Sequence, residues 1–155
     1  PRMAPVVLLR LAEMAYGTLL LRPFAKVFST LNLLCFGIEV SPRVRIGGGL
    51  FLPHTVGTVI GAESIGENCT IMQGVTLGSR RPDIGFTPSE RPVVGNGVMI
   101  CAGAKIIGRV MIGDDATIGA NAVVIDDVPA FATVGGIPAR VLRMGRGGES
   151  AGGSS

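Results

Sequence analysis

Residues 94–124 read VGNGVMICAGAKIIGRVMIGDDATIGANAVV, and within them Val94, Ile100, Ile106, Ile112, Ile118 and Val124 recur at a strict spacing of six. Ile, Leu and Val make up 43 of the 155 residues, so six hits in one chosen register arise by chance at roughly 0.0005. A period of six fits neither the 3.6 of a helix nor a simple hairpin series. It suits short strands joined by corners, each corner repeating one environment. The spaced aliphatic residue points inward, and Val98, Ala104, Val110, Ala116 and Ala122, four places later, fill the remaining interior. Gly47, Gly66, Gly78, Gly95, Gly113 and Gly119 directly follow an inward residue, where a missing Cβ permits a sharp turn. One coil alone buries too little to be stable, so stacking supplies the core.

Upstream, Val59, Ile65, Ile71 and Leu77 keep the same period, and Val40, Ile46 and Leu52 keep it after a shift of one residue. The period fails between Leu77 and Val94, a gap of 17. The segment SRRPDIGFTPSERP, residues 79–92, therefore reads as an external loop stiffened by Pro82, Pro88 and Pro92. In repeat proteins such insertions map to one face, often the binding face.

The flanks differ in kind. Residues 1–36 read as an N-terminal helical segment, with Pro23 as the break between two short helices. The apolar stretch from Val6 to Leu21 contains Arg10 and Glu13 and is shorter than the ~20 apolar residues a span needs. A helical cap or an oligomer contact is the expectation, without stable membrane insertion. No small-residue cleavage site follows that would mark a secretory signal. Residues 37–142 form the repeat domain, and residues 143–155, rich in Gly and Ser, read as a flexible tail.

Composition narrows the function classes. With 47% hydrophobic residues the chain can bury a core as one domain. The net charge of +3 is small, and basic residues scattered without interleaved aromatics exclude a nucleic-acid surface. Cys35, Cys69 and Cys101 lie far apart with no metal-ligand spacing. Their odd count argues for reduced thiols in a cytoplasmic protein without a metal.

His54 is the only histidine and lies where the six-residue register slips, between Leu52 and Val59. A lone histidine is ordinarily a surface residue, but an imidazole is also the natural general base near neutral pH. Its place at a register break singles it out.

The runs GLFLPHTVGTVIGAESIGENCTIMQGVTLG (49–78) and GNGVMICAGAKIIGRVMIGDDATIGANAVVIDDVPAFATVGGIPARV (95–141) resemble the serine acetyltransferase branch of the hexapeptide-repeat acyltransferases. Repeat, PH-x-x-G element, loop position and closing GGIPAR occur together in order. The resemblance covers residues 38–142 and implies a mainly β fold, a left-handed parallel β-helix with three six-residue faces per coil. It further implies a homotrimer with its active site in the groove between subunits. Acetyl-CoA would be the co-substrate, lying along the coils, and a small-molecule hydroxyl the acceptor.

On that resemblance His54 is the catalytic base, and Glu39, 15 residues before it, is the carboxylate that orients the imidazole, where the family usually has aspartate. The acceptor oxygen would attack the thioester directly, with no covalent enzyme intermediate. Cys69 and Cys101 are poor nucleophile candidates, with no second histidine to activate them. Gly78, Ala102 and Ala120 match the small residues that let the pantetheine arm approach, and Lys105 and Arg140 are candidate partners for the CoA phosphates. Serine acetyltransferases carry a second, substrate-binding histidine before the proline that leads into the next coil. Arg91 stands there, preceded by Glu90, and these are the candidate substrate-binding residues. Pro53 likewise replaces an acidic residue used for substrate. L-serine is the favoured acceptor, a sugar or exopolysaccharide precursor the alternative, and a non-catalytic β-helix scaffold the reading from a different class.

Overall fold

Strands of two to five residues, too short to stand alone, wind into stacked coils in the computed structural model, which describes residues 3–82 and 85–145. The first coil holds β1 (Ile38–Val40) and β2 (Arg45–Ile46), and its third side pairs with the next coil through an isolated bridge at Phe51. The second holds β3 (Thr58–Ile60), β4 (Ser64–Ile65) and β5 (Thr70–Ile71), and the third β6 (Thr76–Gly78), β7 (Val93–Val94) and β8 (Met99–Ile100). The fourth holds β9 (Lys105–Ile107), β10 (Met111–Ile112) and β11 (Thr117–Ile118), and the fifth β12 (Val123–Val124) and β13 (Ala132–Gly135). A last strand, β14 (Arg140–Met144), turns back antiparallel against β13.

Stacking gives three sheets. The first runs β1-β3-β6-β9-β12, the second β2-β4-β7-β10 and the third β5-β8-β11-β13-β14. Every pairing but the last is parallel, and like sits on like, with Ile71 over Ile100 over Ile118 and Ile65 over Val94 over Ile112. Ile100, Ile106 and Ile118 are 0% exposed, as are Val98, Ala104, Ala116 and Ala122. Each buried Val, Leu or Ile is worth about 1.5–3 kcal/mol against exposure, which is why the spaced aliphatics dictate the winding.

The period of six predicts Val59 as inward, but it is 37% exposed, whereas Thr58 and Ile60 are buried at 1% each. Because β3 pairs Thr58 with Ile38 and Ile60 with Val40, pleating turns Val59 outward beside Glu39. The corner glycines also work differently from expectation. Gly47, Gly66, Gly95 and Gly113 lack positive φ, but a Cβ on Gly66 would stand 2.6 Å from the Gly95 carbonyl carbon. Their role is to let successive coils stack closely. The left-handed conformation falls two residues later, at Gly49, Asn68, Gly97 and Asp115, where Gly, Asn and Asp are the residues that tolerate it. Gly78 has no atom within 4 Å of its absent Cβ, so no crowding requires glycine there.

The open lower end of such a stack needs a cover. The helix α1 (Ala4–Gly17) provides it: Leu9 joins the core cluster, and Arg10 donates from Nη1 to the Ile46 carbonyl at 2.6 Å and from Nη2 to Gly47. The chain breaks at the 3-10 turn Leu19–Leu21 and not at Pro23, which sits in the first turn of α2 (Arg22–Phe36), where a missing N–H costs nothing. Leu19–Phe36 is the one helical window among the described residues long and apolar enough to cross a membrane, and only 11% of it is buried. Residues 143 and 144, expected in a tail, pair in β14, and the rest of that tail beyond Gly145 lies outside the described residues.

Candidate active site

The loop carrying His54 is tied to the end of α2. Thr55 Oγ1 donates to the Phe36 carbonyl at 2.6 Å, and Gly57 N donates to Gly37 O at 2.9 Å. Between these anchors and the buried Leu52, His54 is exposed and makes no hydrogen bond or ion pair among the described residues. Register shows what lies above it. Phe51, Thr70, Met99 and Thr117 stand one over another, and three residues further on Gln73, Ala102 and Ala120 share one edge of the prism. Val56 lies beneath Gln73, its carbonyl accepting Gly74 N at 3.1 Å, and His54 sits in the turn two residues before Val56, at the foot of that edge. Gly103 N bonds Gln73 O and Asn121 N bonds Ala102 O, each at 2.9 Å, which keeps that edge in line. Above Gln73 the edge carries the small side chains of Ala102 and Ala120.

Glu39, exposed in the middle of β1, faces out from the first sheet and lines a cleft of about 630 Å³. Gly78 and Arg91 line the same cleft, at the far edge of the sheet where the external loop departs. Arg91 is 9% exposed; its Nη1 donates to Gly61 O at 2.8 Å, and its guanidinium carbon lies 4.1 Å from the Phe86 ring centre. Glu90 turns elsewhere, into a smaller hollow with Arg80, Arg81 and Arg109.

The outer face of the first sheet therefore has His54, Ala102 and Ala120 on one border and Arg91 and Gly78 on the other, with Glu39 between. No hydrogen bond joins His54 to Glu39 among the described residues, and His54 does not line the Glu39 cleft. Lys105 is on this face too, its ammonium held by the Gly74 carbonyl and by Thr76 Oγ1 at 3.1 Å. Arg140 stands apart on β14, 3.8 Å from exposed Asp126, a contact of little energetic weight in water.

Cys69 is fully buried, donates to Gly95 O at 3.1 Å, and burial pushes its thiol up from the ordinary value of 9.0. A thiol held neutral is no nucleophile. Among the described residues no three His, Cys, Asp or Glu side chains gather as metal ligands. The sequence reading missed Gly61, Arg43 and Phe86, all of which line the Arg91 cleft. Phe86 alone left a trace, as the one aromatic residue of the loop.

Residues 91–126 match the bacterial transferase hexapeptide family (six repeats). The serine acetyltransferase of Synechococcus elongatus is 43% identical over 118 residues, which are 76% of this chain and 47% of that protein. Among solved structures, a serine acetyltransferase in complex with CoA superposes with a TM-score of 0.79 at 34% identity, over 89% of this chain and 55% of the other. The Neisseria gonorrhoeae serine acetyltransferase in complex with serine gives 0.79 and 34%, over 90% and 55%. The chain spans about half the length of the relatives it matches. Sequence match and superposition agree: the stacked coils are a left-handed hexapeptide-repeat β-helix, and the chain is a serine acetyltransferase-like member of the hexapeptide-repeat class.

Proposed function

We propose that the protein is an O-acetyltransferase that moves acetyl from acetyl-CoA to the hydroxyl of a small acceptor, L-serine foremost. The observation that carries this reading is the placement of the chain's only imidazole in the turn at the foot of the edge that carries Ala102 and Ala120, and the matched relatives are serine acetyltransferases, one of them bound to CoA. An acyl carrier laid along that edge passes the methyl groups of Ala120 and Ala102 and then Gln73 before it reaches the turn of His54. When bound, acetyl-CoA supplies an activated thioester carbonyl.

The chain's own groups do the rest. His54 Nδ1 or Nε2 takes the acceptor proton as the oxygen attacks, and Glu39, at the start of the coil that His54 closes, steadies the imidazolium. Arg91 holds an anionic group of the acceptor, with Glu90 assigned beside it as a second acceptor contact. Gly78 keeps the far border of the face open. Lys105 and Arg140 remain the candidate phosphate contacts, Lys105 by exchanging its carbonyl partner. His54 is exposed on one border and Arg91 lies on the other, so a second subunit walls the groove, and the working form is a homotrimer. The protein acts in the cytoplasm, where its three free thiols stay reduced, without stable membrane insertion.

Arg91 and Pro53, standing where serine acetyltransferases place a histidine and an acidic residue, favour a second acceptor class, a sugar hydroxyl. A thiol-release assay with acetyl-CoA against L-serine, other amino acids and nucleotide sugars decides between them. Serine-dependent CoA release supports the first reading, and sugar-dependent release the second. No release with any acceptor, together with no CoA binding in calorimetry, would leave a scaffold.

A further inference from the structure

A column of alternating guanidinium groups and rings runs from the helical segment to the cleft. The Arg22 guanidinium carbon lies 5.1 Å from the ring centre of Tyr16, the only tyrosine of the chain. Arg43 follows, 5.9 Å from the ring centres of Tyr16 and of Phe86, and Arg91 closes the column 4.1 Å from the Phe86 ring centre. Hydrogen bonds lock the middle member: Arg43 Nε donates to Tyr16 Oη at 2.9 Å and Nη1 to the Gly85 carbonyl at 2.7 Å. Arg43 therefore holds α1 with one end of its fork and the external loop with the other.

Phe86 shows the consequence. Its φ of +54° lies in the left-handed region, which costs a bulky residue energy and persists only where surroundings over-determine it. Here Arg43 and Arg91 contact its ring, and it also packs against the core cluster. A loop of this length would otherwise sample many conformations.

We propose that Arg43 is a positioning residue for the acceptor, holding Phe86 and Gly85 so that the Arg91 guanidinium stays fixed in the Glu39 cleft. The inference rests on the reading of Arg91 as an acceptor contact. It makes the helical segment part of the specificity apparatus as well as a cover for the coils.

The test compares wild type with Arg43→Ala, Phe86→Leu and Phe86→Tyr, using L-serine and UDP-N-acetylglucosamine as acceptor probes. Hydrogen exchange of residues 85–92 is followed in parallel. Arg43→Ala is expected to raise the acceptor KM about five- to tenfold, as loss of roughly one ordinary hydrogen bond implies, while kcat and the acetyl-CoA KM stay within twofold. Loop exchange should quicken. Phe86→Leu should do the same, and Phe86→Tyr, which keeps the ring, should restore both. Unchanged acceptor KM and unchanged loop exchange in Arg43→Ala overturn the proposal. If wild type turns over neither probe, the acetyltransferase reading fails separately, and loop exchange alone judges the anchoring: faster supports it, unchanged overturns it.

Discussion

Gly61 and Arg91 fit one against the other: the Gly61 carbonyl accepts Arg91 Nη1 at 2.8 Å, and a Cβ on residue 61 would stand 2.7 Å from that same nitrogen. The guanidinium reaches the cleft only because residue 61 has no side chain. The backbone oxygen of Leu77, 3.1 Å from the same Cβ position, closes the opposite direction.

Gly61→Ala should therefore expel the Arg91 head from its seat. The acceptor KM is expected to rise about tenfold, the equivalent of ~1.4 kcal/mol, with a melting temperature only a few degrees lower. Steady-state kinetics beside a thermal melt check both halves. An unaltered KM would mean that Arg91 does not meet the acceptor.

The inward register makes a contrast between two aliphatic residues. Ile106 is fully buried, whereas Val59 faces outward. Ile106→Ala should cost about 2–5 kcal/mol in chemical denaturation, and Val59→Ala within about 0.5 kcal/mol. Comparable losses from the two would contradict the register of β3.

Cys69 gives a pH dependence of known sign. Burial raises its thiol above the ordinary 9.0, so the folded state resists ionisation that the unfolded chain accepts. Its contribution is intact below pH 9 and is lost as pH rises through the folded value. Denaturation midpoints measured from pH 7 to 10.5 should fall above pH 9 more steeply in wild type than in Cys69→Ala. That variant should also keep wild-type turnover, since no covalent enzyme intermediate forms. Equal slopes would contradict the burial argument.

These contrasts mark what the amino-acid sequence could reveal. A period of six is a one-dimensional signal, and it exposed the coils from Ile65 to Val124 because each aliphatic residue meets its own counterpart one coil away. It misread Val59, because the inward residues run Leu52, Ile60 and Ile65: the turn carrying His54 lengthens the repeat, the next corner shortens it, and the net slip of one residue hides both changes. The corner glycines were visible as a pattern, yet their cause was not, since crowding between Gly66 and Gly95 is a contact across 29 positions. The candidate site divides in the same way. His54 stood out by being unique and by its register break. Arg43 and Gly61 did not, because their importance comes from the loop folding back on them.

The central claim is that His54 takes the acceptor proton, and single-turnover CoA release by His54→Ala tests it most directly, with acetyl-CoA affinity and melting temperature measured on the same preparation. A fall in rate of at least about 10², with affinity and stability unchanged, is the predicted result. Release at the wild-type rate would contradict it.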